Sequence, residues 1–354
     1  MTTKAVDYII VGQGLAGSCL ALQLLLLNKK ILVVDRISNQ SATKIAAGLF
    51  NPITGRKMAK TWMADELFPY LNSFYRKAEI LTNSKFFFPM PLYRPFDSIE
   101  EQNEWMGRST DISFENYIDA IHTRPINIDQ VKNKLGGLSL KYCGYVNTRV
   151  FSAAVRTHLE KMNALLDEKL YENELTIQSN FVGYKEWKAT KIIYCTGEQV
   201  KESKFFGWIP IKPLKGETLD IETQTRISTI FNKGVYIVPS ILKVGATYSL
   251  RDQTPAVTED GRMELTRKLN QLVSFPYSIV NQQWGMRPTT HDRRPILGPH
   301  PEFEQLVIFN GLGTKGISLA PYFSEILTLW MEKGRPIDNV VAINRYKSLY
   351  WKSA

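Results

Sequence analysis

The opening stretch of the chain limits its fold more than any other part. Tyr8-Ile9-Ile10-Val11 is a continuous apolar run bounded by Asp7 and Gly12, the pattern of a parallel strand buried on both faces. Gly12-Gln13-Gly14-Leu15-Ala16-Gly17, a G-x-G-x-x-G, follows it, then an apolar helix-like stretch to about Leu27, then Ile31-Leu32-Val33-Val34 ending on Asp35. Each glycine has a mechanical reason. Gly12 permits a tight strand-to-helix turn, Gly14 lets the backbone approach a pyrophosphate, and Gly17 lets the helix pack on the sheet. The helix N-terminus, at Leu15 and Ala16, offers free N–H groups and partial positive charge to phosphates. Asp35, about twenty residues beyond the motif, suits the two ribose hydroxyls of an adenosine. Strand, glycine turn, helix and acid together predict dinucleotide binding. The bland alternative, glycines serving only a turn, leaves Asp35 without a reason. An acid there disfavours a 2′-phosphate, although Arg36 follows it.

A chain of 354 residues suggests about two domains of about 150 residues each. Its 44% hydrophobic and 22% charged composition is that of a globular protein. No apolar stretch is long enough to cross a bilayer, and the start lacks a signal-peptide pattern, so a cytoplasmic location is expected. Cys19, Cys143 and Cys195 are odd in number and far apart, and the four histidines lack ligand spacing. Neither a disulfide framework nor a metal site is expected. The net charge of +10 favours acidic small molecules or nucleic acid as partners, or is merely a solvated basic surface.

Which dinucleotide is decided farther along. Ser41 to Pro52 is a small-residue segment containing Ala46-Ala47-Gly48 and ending in Asn51-Pro52. It reads as a loop whose main-chain N–H groups can meet phosphate or ribityl oxygens, or as an ordinary helix start and turn. Lys191-Ile192-Ile193-Tyr194-Cys195 is a strand that stops at Thr196-Gly197. Leu306 to Asn310 is another, followed by Gly311-Leu312-Gly313-Thr314-Lys315-Gly316 and a helix running to about Lys333. That helix N-terminus suits the negative charge of a reduced flavin.

In this order the elements resemble the D-amino-acid oxidase family of FAD enzymes, which includes glycine oxidase and sarcosine oxidase. Further matching stretches are Pro213-Leu214-Lys215-Gly216-Glu217, Tyr236-Ile237-Val238-Pro239, Val244-Gly245-Ala246-Thr247-Tyr248 and Gly285-Met286-Arg287-Pro288 through Gly298. The resemblance covers nearly the whole chain and is weakest over 76–139. It implies an α/β plus α+β fold. A Rossmann-type FAD-binding domain would take 1–75, 140–205 and 285–354, and a discontinuous antiparallel-sheet substrate domain 76–139 and 206–284. Residues 206–284 hold short strand-like runs that suit such a sheet. Phe86-Phe87-Phe88-Pro89-Met90-Pro91 in the weak stretch either lines a pocket or packs as a loop.

The resemblance also implies hydride transfer from the carbon beside an amine nitrogen to flavin N5, with no obligatory acid–base residue. Arg287 matches the arginine that pairs with the substrate carboxylate, where a planar fork fits best; a buried arginine holding a loop is the alternative. Tyr236 and Tyr248 are candidates for lining the site, and Lys315 for binding substrate or assisting oxygen chemistry. Relatives that attach FAD covalently use a cysteine in the C-terminal third; this chain has no cysteine after Cys195, so non-covalent FAD is expected. Ala46 to Gly55 and Gly311 to Gly316 also look like the oxidase half of the bifunctional tRNA wobble-uridine modification enzyme, whose methyltransferase half has no counterpart in this sequence. The substrate is therefore a small amine or amino acid, or an amine carried on tRNA. A flavin-binding protein without turnover is a third reading. Oligomeric state is not legible.

Overall fold

The computed structural model describes residues 3–38, 40–54 and 59–353. Gly55, at the end of one of the stretches named above, lies outside them. A six-stranded sheet forms the base, in the order Leu165–Leu166, Ile31–Val34, Tyr8–Val11, Lys191–Tyr194, Leu306–Asn310, Ile296–Pro299. The first five strands are parallel and the last is antiparallel. The apolar runs are continuous because both faces are covered. Ile10, Val33, Ile193 and Val307 face helices Leu15–Leu26 and Gly316–Lys333. Ile9, Leu32, Ile192 and Ile308 face a smaller four-stranded sheet made by Lys4–Ala5 and residues 175–189. The expected helix start and strand ends agree with these elements within a residue.

A second, eight-stranded sheet has the order Ser278–Thr289, Lys212–Glu222, Lys243–Gly245, Val235–Val238, Ile230–Lys233, Leu92–Pro95, Gly137–Leu140, Ile118–His122. One pair departs from the antiparallel expectation: Ile230–Lys233 runs parallel to Leu92–Pro95. The two strands come from chain segments more than a hundred residues apart, so no hairpin forces them to oppose. Helix Glu259–Leu272 covers one face through Leu265, Leu269 and Leu272, which pack on Leu219, Ile237 and Val244. The other face looks toward the parallel sheet.

Two elements run through the expected domain borders. Helix Ala64–Thr82 spans the one at 75, and strand Ser278–Thr289 spans the one at 285. The division of the chain is therefore a proposal in which these two elements tie the parts together. Phe86 and Phe87 are buried in the main core, Phe87 stacked on Tyr75 and Phe86 edge-on to Phe151, so the packed alternative describes them. Among the described residues no helix is long and apolar enough to cross a membrane.

Candidate active site

One cavity of about 2140 Å³ runs between the two sheets. That exceeds the roughly 300–1,000 Å³ of an ordinary small-ligand site and leaves room for a dinucleotide and a further molecule. At one end lies the first glycine turn. Gly12 has φ +95°, and a Cβ there would stand 2.7 Å from the Cys195 carbonyl oxygen. A Cβ on Gly17 would stand 1.9 Å from the Gly12 carbonyl oxygen, so this glycine fastens helix to strand and does not reach the cavity. Gly14 differs: a Cβ would meet only Thr43 Oγ1, at 3.5 Å, and the residue faces open cavity. The helix it starts has no side-chain cap of its own; Thr43 Oγ1 accepts from Leu15 N at 3.0 Å instead. Leu15 and Ala16 line the same end.

Asp35, at the tip of its strand, also lines the cavity. Its Oδ1 accepts from Gln13 N at 2.9 Å, and its Oδ2 lies 3.4 Å from Arg156 Nη1. Burial pushes the carboxyl up, and the Gln13 N–H and Arg156 pull it back. An ionised carboxylate has about four acceptor sites, so capacity for ribose hydroxyls remains. Arg36 lines the cavity beside it.

Midway, Ala46, Ala47 and Gly48 line the wall after a four-residue helix, Ala42–Ile45, capped by Ser41. The segment is a helix start followed by a turn in which Ala46 is exposed while Ala47 and Gly48 are buried, Gly48 against the Val146 carbonyl. Opposite stand Thr196 and Gly197. A Cβ on Gly197 would meet nothing within 4 Å. The Thr196 hydroxyl is buried without a hydrogen-bond partner among the described residues. Asn310 links this turn to the last one: its Nδ2 donates to the Gly197 carbonyl at 2.8 Å, and its Oδ1 accepts from Gly311 N at 2.8 Å. Leu312, Gly313, Thr314, Lys315 and Gly316 line the cavity, and helix Gly316–Lys333 starts there without a side-chain cap. Gly311 does not line it; a Cβ there would stand 2.8 Å from Thr290 Cγ2, so the glycine serves packing. Two open glycine cradles and two helix N-termini without a cap from their own N-cap side chains, on one elongated cavity, fit a flavin dinucleotide.

At the far end, Arg287 projects from strand Ser278–Thr289. Its guanidinium lies over Gly216, where a Cβ would come within 2.1 Å of both terminal nitrogens. The Tyr248 ring covers it at 5.0 Å, and Nη1 reaches the Thr247 carbonyl at 3.4 Å. Among the described residues no carboxylate forms an ion pair with it. Tyr236 stands close by. Burial pushes its hydroxyl well above the usual phenol range, Tyr248 adds to this, and Arg287 opposes it. Lys315 donates from Nζ to Thr54 Oγ1 at 2.8 Å and Thr61 Oγ1 at 3.0 Å. Burial, with Arg293 and Arg294 adding, brings its ammonium down to about 8.

A family model described as DAO, FAD-dependent oxidoreductase, matches residues 7–330. The chain belongs to that family. It is an FAD enzyme of this kind, and its fold is that of its relatives. A bifunctional ThiO/ThiG protein of Trichormus variabilis is 26% identical over 351 residues, covering 91% of this chain and 52% of its own length. A tRNA 5-methylaminomethyl-2-thiouridine biosynthesis bifunctional protein of Marinobacter nauticus is 27% identical over 163 residues, 40% of this chain and 25% of that protein. The chain spans about half the length of the curated ThiO/ThiG relatives it matches. The crystal structure of glycine oxidase from Geobacillus kaustophilus superposes with a TM-score of 0.75 at 19% identity, covering 95% of this chain and 96% of that one.

Sequence reasoning missed Gln13, Thr43, Arg156, Gly216 and Asn310. All of these but Arg156 lie inside stretches already singled out. Nothing local marks Arg156, which joins Asp35 across more than a hundred residues.

Proposed function

We propose that this chain oxidises the carbon–nitrogen bond of an amine or amino acid that carries a carboxylate. The observation that carries the reading is the Arg287 guanidinium, which faces the cavity with a ring and a carbonyl beside it and, among the described residues, no ion-paired carboxylate. A half-buried cation on a cavity wall with no anion paired to it attracts one. Its fork meets a carboxylate bidentately and fixes which carbon points inward. Gly12, Gly14, Leu15, Ala16 and Asp35, with Arg36, would hold the adenosine diphosphate half of FAD. Ala46 to Gly48, Thr196, Gly197 and Leu312 to Gly316 would hold the flavin half. All three cysteines are buried, and the last is Cys195, which supports non-covalent attachment. When bound, FAD supplies the acceptor for a hydride from the carbon beside nitrogen. Tyr236, kept neutral by its burial, can donate a hydrogen bond into the cavity. Lys315, tied to two threonines, contributes positive charge below about pH 8.

Anaerobic mixing with glycine, sarcosine and D-alanine tests this. At least one should bleach the visible absorbance of the flavin. Arg287→Met should lower the second-order rate of bleaching by about a hundredfold or more, since loss of one partner of a buried charge pair removes about 2–5 kcal/mol. An unchanged rate would show that Arg287 is no clamp. A second reading, an amine carried on tRNA, is favoured by the net charge of +10 and the Marinobacter likeness. It gains if free amines fail and undermodified tRNA reduces the flavin with a steep salt dependence.

A further inference from the structure

Side chains alternate along strand Lys212–Glu222. Gly216 and Thr218 face the cavity. Lys215 and Glu217 point to the opposite side, only 1% and 2% exposed. A lysine that deep needs partners. Lys215 Nζ donates to Asp252 Oδ2 at 2.6 Å and Thr254 Oγ1 at 2.8 Å, with Glu217 Oε1 at 3.6 Å. Glu217 accepts from Thr258 N at 3.0 Å, Thr258 Oγ1 at 2.7 Å and Gln282 Nε2 at 2.6 Å. Backbone bonds add to this: Lys215 and Ser249 exchange both, at 2.9 and 3.0 Å, and Thr247 N donates to the Glu217 carbonyl at 3.1 Å.

All but one of these partners belong to residues 247–258, which form no helix or strand. Tyr248 lies in that segment with its ring over Arg287, yet it is 63% exposed. Little packs on its outer side, so its backbone must hold it in place. The guanidinium thus sits in a slot. Gly216 is the floor, Tyr248 the roof, and the roof hangs from a segment pinned at Lys215 and Glu217.

We infer that Lys215 is a positioning residue that latches segment 247–258 to the sheet and, through Tyr248, fixes the orientation of the Arg287 clamp. The latch stands on contacts alone; its consequence for a carboxylate rests on the proposed function above. Asp252 is the accessible half of the pair, its carboxyl held down to about 2 chiefly by the Lys215 hydrogen bond.

The test uses FAD-loaded protein carrying Lys215→Met or Asp252→Ala. The second change is at a side chain 30% exposed and leaves Lys215 with Thr254 and Glu217 as partners; urea midpoints of both variants check that the fold is kept. Hydrogen exchange across 247–258 should quicken about tenfold in both, the loss of roughly one charge-assisted hydrogen bond, while Ser278–Thr289 keeps its protection. The dissociation constant for glycolate, read from the flavin spectrum, should rise about tenfold, and the limiting rate of amine oxidation should change less than KM. Adding Asp252→Ala to Tyr248→Ala should cost no further glycolate affinity, because both act through one contact. Unchanged exchange in both variants overturns the latch. Faster exchange with unchanged glycolate affinity overturns the positioning role. A lack of any glycolate response in the unaltered protein overturns the carboxylate reading instead, and the exchange data then still decide the latch.

Discussion

The end of the cavity proposed to hold the nucleotide and the end proposed to hold the substrate are built by different means. At the nucleotide end the shape is set by backbone. Gly12, Gly17 and the Cys195 carbonyl interlock at distances that admit no side chain, and the ligand-facing surface is main chain and a helix end, with the Asp35 and Arg36 side chains beside them. At the substrate end the shape is set by side chains that hold other side chains: Lys215 holds the segment that carries Tyr248, and Tyr248 covers Arg287. The first kind of site tolerates almost no substitution but asks little of sequence outside the turn. The second tolerates graded change, and its parts come from three strands and a loop. The difference teaches where to look for loss of fold and where for loss of selectivity.

The comparison breaks first, if it is wrong, at Gly17. A Cβ 1.9 Å from the Gly12 oxygen must push helix from strand, so Gly17→Ala should lose about 3 kcal/mol or more and release FAD. Urea unfolding and flavin retention would measure this; near-native values would mean the turn is adaptable. Gly216→Ala should be milder. Its Cβ would displace only a guanidinium, so the protein should keep its flavin and its unfolding midpoint while KM for a carboxylate-bearing substrate rises about ten- to a hundredfold. Steady-state kinetics beside a melting curve separates the two effects.

The smallest effect belongs to Lys315, whose pKa falls from 10.5 to about 8. Between those values the folded protein binds fewer protons than the unfolded chain, so this residue makes stability rise with pH across that window. Its ammonium is unfavourable in the fold below about pH 8, and the penalty fades as pH passes 10.5. Lys315→Met should remove that rise, read as urea midpoints from pH 7 to 10.

The same contrast explains what the sequence could tell. The nucleotide end lies within the first thirty-five residues, and each part is adjacent to the next, so Gly12, Gly14, Gly17 and Asp35 could be placed by local pattern alone. The turns at Thr196 and Gly311 were legible for the same reason, each following an apolar strand. Gly17 reads as a packing glycine and is one, whereas Gly311 reads as part of the flavin-side turn but acts in packing; spacing identifies a required glycine without telling which of its neighbours requires it. At the substrate end Arg287 was visible only through the family resemblance. Its neighbours Gly216 and Tyr248 lie 71 and 39 positions away, and strand register alone brings Leu214 opposite Arg287. Arg156 had no signal at all, because its partner Asp35 depends on how a helix from mid-chain lies against the first sheet. The parallel pairing of Ile230–Lys233 with Leu92–Pro95 was hidden likewise, since each strand alone reads as half of some hairpin.

Strand Ser278–Thr289 does not end at the substrate sheet. Thr289 bridges Leu312, and Gly313 N donates to the Pro288 carbonyl at 2.9 Å, in the turn that opens the last helix. Arg287 is therefore one residue from a backbone splice to the flavin-side turn, and the pair behaves as a fixed-length ruler. An engineer wishing to admit longer or shorter molecules gains nothing by loosening that ruler, which would shift both of its marks together. The adjustable edge is the one opposite, across Tyr236 and the loop hung from Lys215.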